Sequence, residues 1–170
     1  MTRFASILEQ HRRVIVVGRS GVGKTTLVAS VEDRPRWNVG EQGKDGDTPP
    51  EVGFVDNAYY WIDRLKDDAG PWLLEGTGCY RIMRAGLRDG TLEPDAVVHV
   101  LGRFDPWDIP PRDATGDPVK DEDKARVAAT RAKAHETIWR DYIELRGTMG
   151  AKAELVEGTE LDLSAEVTNE

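Results

Sequence analysis

Val14-Ile15-Val16-Val17-Gly18-Arg19-Ser20-Gly21-Val22-Gly23-Lys24-Thr25-Thr26 is the stretch that decides the fold of this 170-residue chain. Four β-branched residues in succession, Val14 to Val17, predict a strand buried on both faces, because a half-buried strand would alternate apolar and polar side chains. Gly18 to Gly23 reads as a glycine-rich turn. Gly23-Lys24-Thr25 then opens a helix that runs to about Glu32 and stops at Arg34-Pro35, since the residue before a proline disfavours the helical region.

Outward from this unit, the same pattern repeats. Arg36 to Val39 suits a short second strand, and the glycine-rich segment Gly40 to Gly53, with Pro49-Pro50, suits a loop. Asp56 to Asp68 predicts a helix with Ala58, Tyr59, Ile62 and Leu65 on one side. Trp72-Leu73-Leu74 predicts a buried strand ending in Glu75, and Arg81 to Asp89 a helix halted by Gly90. Ala96 to Leu101 is a further apolar strand, followed by a loop from Phe104 to Pro118 that holds Pro106, Pro110, Pro111 and Pro118. Asp121 to Leu145 is the longest helix, with Ala128, Ala132, His135, Trp139 and Tyr142 recurring on one face. Ala153 to Leu163 adds a weaker strand signal ahead of an acidic end.

Strands alternating with helices imply an α/β fold, in which helices cover both faces of a mainly parallel central sheet to make three layers. The expected organisation is one domain over residues 1–150, with an acceptor-side loop at 40–55 and a lid-like loop at 102–120, and an acidic tail over 151–170. A formal charge of −8, from 23 basic and 31 acidic residues, argues against a generally basic nucleic-acid coat. That charge is unevenly distributed. Six acids (Glu154, Glu157, Glu160, Asp162, Glu166, Glu170) lie in the last eighteen residues without a Lys or Arg, so the first 152 residues carry only −2. One cysteine, Cys79, excludes an intramolecular disulfide and a cysteine-based zinc cluster. No apolar run approaches the roughly 20 residues of a membrane span, and a cytoplasmic protein without a membrane partner is expected.

Gly18 to Thr25 matches G-x-x-x-x-G-K-[ST] at every fixed position, between a strand and a helix as the motif requires. Glycines let backbone N–H groups curl around phosphate oxygens, and a helix N-terminus adds partial positive charge. Gly18, Arg19, Ser20, Gly21, Val22, Gly23, Lys24, Thr25 and Thr26 are therefore the candidate nucleotide-binding residues. Lys24 is suited to the β- and γ-phosphates of ATP, and the Thr25 hydroxyl to Mg²⁺. Glu75, at the tip of its strand, is the second candidate for the metal, although Asp is commoner in that role.

A GTPase would need an N-K-x-D element after a later strand, and none is present; Asp113-Ala114-Thr115-Gly116 fits D-x-x-G only within a proline-rich loop. An ABC-type or AAA-type ATPase would need more chain. A small kinase fits the length. Glu41, Asp45 and Asp47 are candidate general bases in the acceptor-side loop. Arg81, Arg84 and Arg88 fall at i, i+3 and i+7, one face of an α-helix, where they suit acceptor phosphates or a nucleic-acid backbone. Arg103 and Arg112, which bracket Pro106, Pro110 and Pro111, suit a lid that neutralises charge on the transferring phosphoryl group, with Lys133 able to play the same part. His135, on the apolar side of its helix, reads as a packed histidine. Neither His11 nor His99 is better placed for a metal trio. Most of the five tryptophans suit the core, with Trp37 and Trp107 beside the open loops suited to stacking on a base.

Gly18 to Thr25, then Leu73-Leu74-Glu75-Gly76 leading into Arg81-Ile82-Met83-Arg84-Ala85-Gly86-Leu87, resemble the small P-loop kinases of phages and bacteria. Lys133-Ala134-His135-Glu136-Thr137-Ile138-Trp139 is similar to a late K-x-x-x-T-[VI]-W element of that group. Some of its members are phage 5-hydroxymethyluracil DNA kinases, which phosphorylate the hydroxymethyl group of that base within DNA. The resemblance spans roughly residues 13 to 143, with departures at Thr77-Gly78-Cys79 and at Ala128. It implies a P-loop NTPase fold of nucleotide-kinase type and an ATP- and Mg²⁺-dependent transfer of the γ-phosphoryl group. The acceptor would be a hydroxyl of nucleoside or nucleotide type, with the base hydroxymethyl of phage DNA favoured and the compartment then the host cytoplasm. The alternatives are a nucleoside monophosphate kinase and a nucleotide-binding regulatory module without transfer activity.

Overall fold

The structure, a computed structural model, describes residues 3–18, 23–40, 46–53, 55–100, 118, 120–146 and 154–161. In chain order the elements are α1 (Arg3–Gln10), β1 (Arg13–Gly18), α2 (Lys24–Ala29), β2 (Arg36–Asn38), α3 (Asn57–Leu65), β3 (Trp72–Glu75), α4 (Cys79–Ile82), β4 (Ala96–Val100), α5 (Glu122–Arg146) and β5 (Glu154–Leu161). A π-helical turn, Met83–Leu87, continues α4.

The sheet runs in the order β2-β3-β1-β4-β5, and every pairing is parallel. Four strands form a regular core, with Val16 opposite Glu75 on one side and Val98 on the other. β5 pairs with β4 at the far edge through a register shift between Val97 and His99. The strand expected over 153–163 is thus observed, and residues 154–161 of the acidic segment belong to the sheet.

Burial explains the β-branched run. Val14 to Val17 are each 0% exposed, and successive side chains leave the strand on opposite faces. Ile15 and Val17 join Trp72, Leu74 and Val97 beneath α3, α4 and α5. Val14 and Val16 join Leu73, Ala96, Val98 and Val100 beneath α1 and α2, through Phe4, Ile7 and Val28. Both faces are covered, so an alternating strand would bury polar groups without partners. The α/β architecture with a parallel sheet holds as expected.

The sequence reading overlooked α1. Phe4, Ile7 and Leu8 recur at i, i+3 and i+4, the spacing of an amphipathic helix, and Phe4 and Ile7 are buried. Its C-terminal carbonyls have no partner further along the helix, and Arg34 supplies one from across the junction. The buried guanidinium donates to Leu8 O at 2.7 Å, His11 O at 2.7 Å and Arg12 O at 3.1 Å, and Asp33 holds it from outside.

The helix expected over 81–89 requires a correction. It starts earlier, at Cys79, and widens into the π-turn after Ile82. Gly86 fits there because it packs against its neighbours: a Cβ on it would lie 2.9 Å from Leu92 Cβ and 3.2 Å from Ile62 Cγ1. Its carbonyl accepts Thr91 N at 2.8 Å, Leu92 N at 3.2 Å and the Thr91 hydroxyl at 3.2 Å. The 3.6-residue spacing that put Arg81, Arg84 and Arg88 in one row therefore does not apply beyond Ile82.

Candidate functional site

Parallel strands all end at the same edge of the sheet. β1 is followed in sequence by β2, which lies beyond β3 on one side, whereas β4 lies on the other. The crevice at the carboxyl end of β1 is thus a topological switch point, where open α/β sheets bind ligands. Gly18 ends β1 there, Asn38 ends β2 and Glu75 ends β3.

Gly23 precedes α2 with φ 91° and ψ 16°, a left-handed conformation that residues with a Cβ rarely adopt. This turns the chain so that Lys24 and Thr25 open the helix beside the strand tips. Lys24 is 7% exposed, and its Nζ donates to Gly18 O at 3.0 Å. Thr25 donates its hydroxyl to Glu75 Oε1 at 2.9 Å, across fifty residues of sequence. Arg19, Ser20, Gly21 and Val22 lie outside the described residues; Thr26 is exposed.

Glu75 is the centre of this arrangement. It is 2% exposed, and Asn38 Nδ2 also donates to Oε1, at 2.5 Å. Oε2 accepts no hydrogen bond among the described residues and is sealed from solvent. An unsatisfied buried acceptor costs about 1–3 kcal/mol, and more when it is charged. The only comparable side-chain atom among the described residues is Trp72 Nε1, at the opposite end of the same strand.

The turn after Glu75 is tight for a steric reason. Gly76 has φ +127°, and a Cβ there would stand 2.4 Å from Val39 O. A Cβ on Gly78 would stand 2.7 Å from both Val39 O and Val39 Cγ1. Val39 N donates to Glu75 O and Gly78 N to Val39 O, at 2.7 and 3.1 Å, which ties the turn to the end of β2. Gly78 and Cys79 thus serve close packing. Burial, followed by the Glu75 charge, pushes the Cys79 thiol far above its ordinary range despite the opposing effect of Lys24. It is a packed group, not a nucleophile.

Beside the strand tips stands an aromatic group from β4, α4 and α5. Tyr80 Oη and His99 Nε2 share a buried hydrogen bond of 3.0 Å. The His135 ring stacks on Tyr80 with centroids 4.1 Å apart and planes 9° apart, and Trp139 lies 4.7 Å from His99. Burial, then Arg131, Lys24 and Arg81, push His135 down to about 4. The positive charges of Arg131 on α5, Lys24 on α2 and Arg81 on α4 thus add to burial in opposing protonation of this imidazole.

The remaining candidates divide by position. Arg81 is half-buried, whereas Arg84, Arg88 and Lys133 are exposed. Asp47 accepts Asn38 N on Oδ2 at 2.7 Å and donates its own N–H to Asn38 O at 2.8 Å, so it seals the free edge of β2. Trp37 is half-buried and lies beneath the Arg64 guanidinium, 5.2 Å from the ring centroid. Glu41, Asp45, Arg103, Arg112 and Trp107 lie outside the described residues. Asn38 was missed by the sequence reading, and its only signal was its place at the end of a short strand.

Among the described residues no three His, Cys, Asp or Glu side chains group as a metal site. The Glu75 donor set is oxygen, with the Thr25 hydroxyl alongside. That chemistry suits a hard cation such as Mg²⁺, which takes one or two protein ligands and completes its shell with water and phosphate. Among the described residues no helix is long and apolar enough to cross a membrane.

No family model matches the chain, and no curated protein matches it in sequence.

Proposed function

We propose that this chain is an ATP-dependent phosphotransferase of the P-loop kinase type, which transfers the γ-phosphoryl group to a hydroxyl of a nucleoside- or nucleotide-type acceptor. The observation that carries the reading is the 2.9 Å contact of Thr25 Oγ1 with Glu75 Oε1, at the edge where β1 and β3 end. A G-x-x-x-x-G-K-T segment by itself supports only a phosphate cradle. The same segment with its hydroxyl against a buried, incompletely partnered carboxylate supports a cradle that handles a nucleotide with its metal. The switch-point location and the helices on both faces of the sheet support the corresponding fold.

Lys24 and the amides of residues 18–25 bind the phosphates, and Lys24 offsets their charge. Thr25 and Glu75 hold Mg²⁺, which when bound neutralises charge on the β- and γ-phosphates. Arg81 and Arg131, which with Lys24 oppose protonation of His135, keep the adjoining surface positive for an acceptor that carries phosphate. Arg84 is exposed and serves acceptor binding only for a large acceptor such as a duplex. Arg103 and Arg112 complete the lid role. The preferred acceptor is the hydroxymethyl group of 5-hydroxymethyluracil in DNA, on the resemblance of residues 73–87 and 133–139.

Incubation with γ-labelled ATP and Mg²⁺ tests the reading against two acceptors, free deoxynucleoside monophosphates and duplex containing hydroxymethyluracil. Label in the duplex, lost in Lys24→Ala, is expected. Label in small nucleotides alone would replace the DNA acceptor with a monophosphate kinase reaction. Binding of ATP with no label in either would mean a nucleotide-binding module without transfer.

A further inference from the structure

Asn38 ends a three-residue edge strand and carries no charge, yet three observations converge on it. Its Nδ2 donates to Glu75 Oε1 at 2.5 Å, on the same oxygen that accepts the Thr25 hydroxyl at 2.9 Å. Its main chain is held from outside by Asp47, through Asn38 N to Asp47 Oδ2 at 2.7 Å and Asp47 N to Asn38 O at 2.8 Å. Its Oδ1 is directed elsewhere: a Cβ on Gly46 would lie 3.2 Å from it and 2.5 Å from Asn38 O, so a glycine there gives the amide its room.

A carboxylate has about four lone-pair positions on two oxygens. With two donors on Oε1, rotation about the last side-chain bond of Glu75 would break both contacts, so the carboxylate plane is fixed. Oε2 is left as the oxygen without a protein donor among the described residues. A donor on Oε2 would compete with a cation. The pairing of both donors on one oxygen leaves the other for the metal or its water.

We infer that Asn38 is the positioning residue of the Glu75 cation site, with Asp47 fixing its main chain and its amide fixing which carboxylate oxygen receives the metal. The inference rests on the metal role of Glu75 in the proposed function. Residues that orient a ligating carboxylate commonly change metal affinity by about 10–100-fold when removed. A carboxylate candidate for a general base, Asp47, thereby acquires a different part: it positions the residue that positions the ligand.

The test is Mn²⁺ binding to the full chain in the presence of ADP, read by the electron paramagnetic resonance of free Mn²⁺, with ADP affinity measured separately without metal. Four proteins are compared: wild type, Glu75→Gln, Asn38→Ala and the similarly sized Asn38→Leu. Weakening of Mn²⁺ binding by about tenfold or more in both Asn38 variants, with metal-free ADP affinity and urea midpoint near wild type in at least one of them, is expected. A purely structural role would lower the urea midpoint and leave Mn²⁺ affinity of the folded protein unchanged, which would overturn the inference. Should Glu75→Gln bind Mn²⁺ as wild type does, the metal role of Glu75 itself fails. Should Glu75→Gln lose the ion while both Asn38 variants keep it, only the positioning role fails.

Discussion

His135 provides the sharpest physical prediction, because its ordinary value is 6.5 and the fold holds it at about 4. Burial is the first cause, followed by the positive charges of Arg131 on its own helix, Lys24 on α2 and Arg81 on α4; Tyr80 covers one ring face. The sign follows from proton counting. Between pH 6.5 and 4 the unfolded chain binds a proton at this residue and the folded chain does not, so stability falls as pH falls through that window. For a single group with these two values, the loss between pH 7 and pH 5 is about 2 kcal/mol. Urea denaturation at both pH values measures it in wild type and in His135→Phe, which keeps the stacked ring and cannot titrate. Carboxylates contribute to both proteins and cancel in the difference. Wild type should lose about 2 kcal/mol more than the variant. An equal loss in the two proteins would refute a buried His135 held neutral below its ordinary range.

Two further predictions concern the frame around the site. Arg34→Met removes the donor to Leu8 O, His11 O and Arg12 O while keeping most of the buried stem; loss of about 3–5 kcal/mol is expected from urea unfolding, because buried carbonyls lose a charged partner. Gly76→Ala forces a Cβ to within 2.4 Å of Val39 O at φ +127°. It should cost more than about 3 kcal/mol, or prevent folding outright, as read by the thermal midpoint and the yield of soluble protein.

Much of the fold was legible because its strongest signals are local. Val14 to Val17 and Trp72 to Leu74 are unbroken apolar runs, and such runs occur where both faces of a strand are covered. The presence of α3 and α5 followed from periodicity, and their ends lie within three residues of the expected Asp56 to Asp68 and Asp121 to Leu145. Periodicity failed at Arg81 to Asp89, where packing of Gly86 against Ile62 and Leu92 favours a wider turn than the sequence pattern assumes. It also left α1 unread, since an eight-residue amphipathic stretch carries little signal until Arg34 caps it from another part of the chain.

The site divides along the same line. Gly18, Gly23, Lys24 and Thr25 are neighbours in sequence, and the proposed phosphate cradle needs them at that spacing, so the sequence alone sufficed to name them as candidates. Glu75 was legible as an acid at the end of an apolar run. Which groups meet that acid was decided by the tertiary structure: the parallel register of β2 and β3 sets Asn38 opposite it from thirty-seven residues away, and the turn from β1 into α2 brings Thr25 from fifty. The effect of Lys24 and Arg81 on His135 is likewise tertiary, because they come from α2 and α4, whereas Arg131 is four residues away on the same helix. Local pattern reports what one stretch of backbone prefers; hydrogen bonds and charge pressure between distant segments arise only when the sheet order sets those segments side by side.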